Sequence, residues 1–258
     1  MSAAAADAAA RCLADQLTVR GWRELAAEAP DADRLTHARS AAALILLPLD
    51  RARQALVLGA TWGRLAVPLA RRLPTRALAT SAARGRILAR VASAERVVLP
   101  VVVGDLAAPP FAAGAADLVL LGDAAAGLDD PAAYAAALRA AAHLLAPGGA
   151  LYVAGGNTRA EPAVAPPAAS LAEYRARFAA AGLAPRAEYA CFPDHLTPRD
   201  LVPFALLDAF LGARPDAAGG PAGERSALRP GSDIAARLAP AFAFVLGAAP
   251  GAPAGDDA

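Results

Sequence analysis

The stretch Ala55-Leu-Val-Leu-Gly-Ala-Thr-Trp-Gly63 carries the spacing with the clearest chemical meaning. An apolar run stops at Gly59, a tight turn reaches Gly63, and a helical pattern begins at Arg64. A strand that passes through a glycine turn into a helix aims backbone N–H groups and a helix N-terminus at one spot. Open parallel sheets hold nucleotide-like ligands at such spots. Asp105 and Asp123 each stand just past an apolar run, Val97–Val103 and Asp117–Leu121. A carboxylate there can accept hydrogen bonds from a ligand or, with a raised pKa, take a proton. Asp194-His195 follows another run, Pro185–Phe192, and imidazole is the side chain best suited to proton transfer near neutral pH. Each group also has a plain structural use. Glycines make tight turns, aspartates begin Asx turns and cap helices, and a lone loop histidine is commonly solvated.

The elements that must position these groups follow an alternating pattern. Residues 3–29 read as helix on Leu13, Leu17 and Leu25, and a second helical stretch is expected from Arg34 to Leu47. Strands are expected at 55–58, 77–80, 97–103, 117–121, 150–154, 185–192 and 241–246. Helices are expected at 64–72, 82–92, 131–145, 170–181 and 197–212. Ser170 and Glu173 form a capping-box pair, and Pro147-Gly-Gly149 breaks the chain before the fifth strand. Strand–helix alternation predicts a parallel α/β sheet with helices on both faces and right-handed crossovers. The expected organisation is a helical extension over 1–50, a main domain over 51–248 with a helical insert at 197–238, and a flexible tail over 249–258.

Composition removes several function classes. All 25 basic residues are arginine, so no lysine Schiff base or lysine general base is available. The net charge is +1 and no basic run exceeds a pair such as Arg71-Arg72, so charge does not indicate a nucleic-acid partner. Cys12 and Cys191 lie far apart, with no metal or redox spacing, and a reducing cytoplasmic compartment fits. Asp7 and Arg11 precede any long apolar run, so no secretory signal is expected. No segment approaches the ~20 apolar residues of a membrane span.

Four blocks in this order resemble the class I S-adenosylmethionine-dependent methyltransferases. Val57-Leu-Gly-Ala-Thr-Trp-Gly63 is similar to the family's glycine turn. Gly104-Asp105, Pro110-Phe111, Gly114 and Asp117-Leu-Val119 resemble its run from the adenine-contacting acid into the fourth strand. Leu144-Leu-Ala-Pro-Gly-Gly-Ala-Leu-Tyr-Val153 resembles the entry to the fifth strand. Pro240-Ala-Phe-Ala-Phe-Val245 sits where the family has its antiparallel seventh strand. The resemblance covers roughly residues 40–248. It implies a Rossmann-like seven-stranded, mostly parallel sheet whose last strand is antiparallel, with S-adenosylmethionine as cofactor. It places Gly59, Thr61, Gly63, Thr80, Asp105 and the Leu106 backbone N–H around that cofactor, with His195 or Asp123 as the base. Three positions depart from the family. Val57 replaces the acid usual at the end of the first strand, Thr61 the central glycine, and Thr80 or Ser81 the acid that binds the ribose hydroxyls. Exchanging a carboxylate acceptor for a neutral one costs about 1.5–3 kcal/mol, or one to two decades of affinity.

Three functions are therefore open. One is methyl transfer to a small-molecule or glycan-like acceptor. Another is a methyltransferase-like subunit that binds or scaffolds a protein partner, or a second copy, without catalysis. The third is a nicotinamide-nucleotide reductase, since Gly59-Ala-Thr61 also resembles the opening of the short-chain reductase turn. That motif's later glycines fall here on Trp62 and Leu65.

Overall fold

The computed structural model describes residues 3–17, 19–28, 38–60, 62–122, 130–159, 169–214 and 237–250. Eight strands form one sheet: β1 (Ala55–Leu58), β2 (Thr75–Ala79), β3 (Val101–Val103), β4 (Ala116–Leu121), β5 (Leu145–Gly156), β6 (Leu183–Phe192), β7 (Asp200–Pro203) and β8 (Ala241–Ala248). Their order across the sheet is β3-β2-β1-β4-β5-β8-β6-β7. The first five pair in parallel, whereas β8 runs antiparallel between β5 and β6. Among the described residues the helices are α1 (Ala3–Gln16), α2 (Trp22–Glu28), α3 (Ala66–Ala70), α4 (Ala82–Ala94), α5 (Pro131–His143), α6 (Leu171–Ala180) and α7 (Leu207–Ala213). Short 3-10 helices occupy Ala38–Leu46 and Phe204–Leu206.

Alternation along the strands divides the core by side-chain size. Leu56, Leu58, Leu78, Val119, Phe242 and Phe244 face α5, α6 and α7, where Tyr134, Leu138, Tyr174 and Phe178 are also buried. Phe178 and Phe244 meet edge to face with ring centroids 4.9 Å apart, and Tyr174 lies 5.2 Å from Phe244. On the other face Val57, Ala77, Leu118, Leu120, Ala241 and Ala243 pack against α1, α2 and α4 through Ala10, Ala14, Leu25, Ile87 and Val91. The small residues let those helices lie close to the sheet. Alanine-rich helices also form readily on propensity alone.

Local caps agree with the pattern. Ser170 and Glu173 form the expected reciprocal capping box at α6. Asp130 caps α5 by accepting from the Ala132 and Ala133 N–H groups. Asp117 accepts from the N–H groups of Arg53 and Gln54, tying the approach to β1 onto β4. Glu95 accepts from Arg23 of α2 and from Arg71 after α3, at 2.7 and 2.5 Å.

Three segments differ from expectation. The sheet has eight strands, not seven, because Asp200–Pro203, expected within a helix, pairs antiparallel with Tyr189–Phe192 as an edge strand. Pro203 suits such an edge, where no partner needs its missing N–H. Pro147-Gly-Gly149 lies inside β5, not before it. Two steps along β4 (Ala116 to Leu118) match five along β5 (Leu145 to Ala150), so the turn residues bulge out of a strand that continues on both sides. The expected 34–47 helix appears, from Ala38 on, as 3-10 turns. Residues 215–236 and the tail from 251 lie outside the described residues.

Candidate cofactor crevice

Parallel pairing sets the carboxyl ends of β1, β2 and β3 side by side. Leu58 pairs with Leu78 and Leu121, and Ala79 with Val103. Gly59, Thr80 and Asp105 thus follow one another along a single edge of the sheet, the edge where open α/β sheets take their ligands. Gly59 turns the chain with φ 76°, in the left-handed region, and the N–H groups of Gly59 and Ala60 both donate to the Leu78 carbonyl, at 2.9 and 3.1 Å. Gly63 has φ 72°, and its need for glycine comes from packing. A Cβ there would lie 2.7 Å from Val67 Cγ2 and 3.0 Å from Leu88 Cδ1, so the turn and α4 approach as closely as glycine permits. Trp62 is half-buried against the core face that carries α1 and α4. Val57 is buried in that same face, which accounts for an apolar residue at the end of β1.

Thr80 lies just past β2. Its Oγ1 accepts from Arg84 Nη1 at 2.8 Å. Asp105 is exposed, and its Oδ1 accepts from the Ala107 N–H at 2.9 Å, an Asx turn that leaves the other carboxylate oxygen without a hydrogen bond among the described residues. Leu106 is buried in the core beneath this turn. Thr61 and Asp123, two of the expected site residues, and also His37, lie outside the described residues.

His195 is on the loop between β6 and β7 and is 3% exposed. The loop is tightly built. Asp194 Oδ1 accepts from the Leu196 and Thr197 N–H groups, both at 2.7 Å, and the Arg199 N–H donates to the Phe192 carbonyl at 2.7 Å. Asp194 therefore shapes the loop that carries the imidazole. Arg64, 7% exposed, donates from Nη1 to the Leu196 carbonyl at 3.2 Å. β1 and β6 are four places apart in the sheet, roughly 19 Å at the usual strand spacing. An arginine side chain is far shorter than that, so turn and loop lean towards each other across the strand ends between them. Arg64 and Arg84 are the two residues of this region that motif reasoning passes over. The signals are a single charge inside an otherwise apolar turn-to-helix stretch, and a cation in a helix's first turn.

Among the described residues no group of His, Cys, Asp and Glu is arranged to hold a metal ion, and no helix is long and apolar enough to cross a membrane.

Residues 56–153, from β1 into β5, match the family described as Methyltransferase domain. The fold has many solved counterparts. A TehB-like S-adenosylmethionine-dependent methyltransferase from Corynebacterium glutamicum superposes with TM-score 0.57 at 16% identity, over 92% of this chain and 98% of that one. A methyltransferase solved with the Haloferax volcanii Trm112 methyltransferase activator gives 0.56 at 21%, over 90% and 99%. The 4+2 cyclase SpnF gives 0.55 at 18%, over 85% and 81%. No curated protein sequence matches the chain. The fold is that of class I S-adenosylmethionine-dependent methyltransferases, a Rossmann-like sheet closed by antiparallel strands.

Proposed function

We propose that the protein is an S-adenosylmethionine-dependent methyltransferase acting on a small-molecule or glycan-like acceptor. The observation that carries this reading is the shared edge formed by left-handed Gly59, Thr80 and the exposed Asp105. Adenosine fits that edge. Asp105 accepts the adenine amino hydrogen, the Leu106 N–H faces the ring, and the Gly59–Gly63 turn, Thr61 included, takes the methionine end. When bound, the cofactor supplies an electrophilic methyl group. The chain's own work is alignment, exclusion of water and acceptance of one proton. His195 is the foremost candidate for that proton and Asp123 the second. His195 is buried away from bulk water, and Arg64 ties the loop that carries it to the glycine turn through the Leu196 carbonyl.

The decisive experiment is calorimetric titration with S-adenosylmethionine and S-adenosylhomocysteine, with NADPH as control. Micromolar binding of the sulfur compounds is expected. Absence of binding overturns the reading, and binding of NADPH and NADH alike that is tighter than that of the sulfur compounds transfers it to a reductase.

A second reading has specific support. Val57 is committed to the core and the Thr80 hydroxyl to Arg84, so two positions that usually serve the cofactor serve the protein here. A binding subunit without catalysis is consistent with that. One fold neighbour was solved with an activator protein, and another is a cyclase, so neither solitary action nor methyl transfer follows from the fold. A cytoplasmic location and a protein partner or second copy belong to this proposal, as does the division into a 1–50 extension and a 51–248 domain.

A further inference from the structure

The end of β2 holds a cation that methyl transfer does not use. Arg84 Nη1 donates to Thr80 Oγ1 at 2.8 Å, and among the described residues Arg84 makes no ion pair. It stands in the first turn of α4, where a positive charge opposes the helix dipole, so helix stability does not account for it. Capping does not either, because the Ser81 hydroxyl already accepts from the Arg84 N–H at 3.4 Å. Ala79 pairs with Val103, which places Thr80 beside Gly104 and next to Asp105. An adenosine whose base is held by Asp105 therefore brings its ribose to Thr80 and Arg84. A carboxylate at this place would accept from the ribose hydroxyls. Here the groups on offer are the remaining guanidinium N–H donors, which make charge-assisted hydrogen bonds and can grip a phosphate in pairs.

We propose that the crevice prefers adenosine ligands carrying a phosphate on the 2′ or 3′ oxygen of the ribose, gripped by Arg84 and oriented by Thr80. This rests on the adenosine reading of the crevice.

The test is calorimetry at low ionic strength with 2′-AMP, 3′-AMP and 5′-AMP, which have the same charge and differ only in where it sits. The better of the first two should bind at least about tenfold tighter than 5′-AMP and should displace S-adenosylhomocysteine. The gap should vanish in Arg84→Gln and shrink in Thr80→Val, with unchanged melting temperatures. In the unmodified protein it should also narrow towards about 0.5 M salt, a readout that needs no variant. Equal affinity for all three isomers overturns the proposal, as does a gap that survives in Arg84→Gln. Binding of S-adenosylhomocysteine without isomer preference removes this proposal and leaves methyl transfer standing. Failure of every adenosine compound to bind removes both.

Discussion

Asp105 has two oxygens with different duties. One accepts from the Ala107 N–H and shapes the turn, and the other takes no hydrogen bond among the described residues. Asp105→Ala removes both, whereas Asp105→Asn keeps an acceptor for the turn and loses the charge. S-adenosylhomocysteine affinity should fall at least about tenfold in Asp105→Ala and by less in Asp105→Asn. Unchanged affinity in the alanine variant would take Asp105 out of the crevice. Arg64 makes a different prediction, because it touches the loop and not the expected ligand. Arg64→Met keeps much of the buried volume and deletes the donor to the Leu196 carbonyl. Amide exchange at Leu196 and Thr197 should then quicken by about tenfold, the loss of roughly one charged hydrogen bond. Exchange as slow as in the parent would show that Asp194 alone holds the loop. Gly59 and Asp105 were legible in the sequence because each ends an apolar run beside a turn signal. Arg64 was not, since its partner lies 132 positions away and no local pattern encodes it.

At the scale of elements, the junction of turn, α3 and α4 is the tightest contact near the crevice. Gly63→Ala must strain a backbone at φ 72° and push a methyl to within 2.7 Å of Val67 Cγ2. Destabilisation of about 2–3 kcal/mol is expected in urea unfolding, the combined scale of an unfavourable φ and overpacking. A loss under about 0.5 kcal/mol would mean that Val67 and Leu88 give way. The parallel half of the sheet was readable because alternation of apolar runs with helical stretches has few other solutions. The Ser170–Glu173 box was readable because its chemistry is local. β7 was not: four residues ending in proline carry too short a period to outweigh the helical residues around them, and pairing with β6 decides their state. The Pro-Gly-Gly segment misled for the complementary reason. Its residues signal a break, and β4, which pairs with Leu145 before the bulge and with Ala150–Tyr152 after it, holds β5 continuous across it.

For the whole molecule, acid sensitivity follows from carboxylates that hold distant segments together. Glu95 takes hydrogen bonds first from Arg23 and then from Arg71, and these hold its carboxyl below the ordinary range. The backbone N–H groups of Arg53, then Gln54, do the same for Asp117. A lowered folded-state pKa contributes stability that is complete above the unfolded value of about 4 and is lost as pH falls through the folded one. Melting temperature should thus decline below about pH 4.5, and Glu95→Gln should lower it at neutral pH and flatten that decline. An unchanged slope would show that Glu95 contributes nothing to acid sensitivity. One further consequence comes from where β8 sits. It enters between β5 and β6 although it is made after both. While the nascent chain leaves the ribosome, β5 and β6 each present an open edge that Ala241–Ala248 fills in the folded protein. The aromatic layer on that side likewise waits for Phe242 and Phe244. Until then the growing polypeptide is a target for chaperones and for pairing with its own copies, so success in biosynthesis is decided late, at its eighth strand.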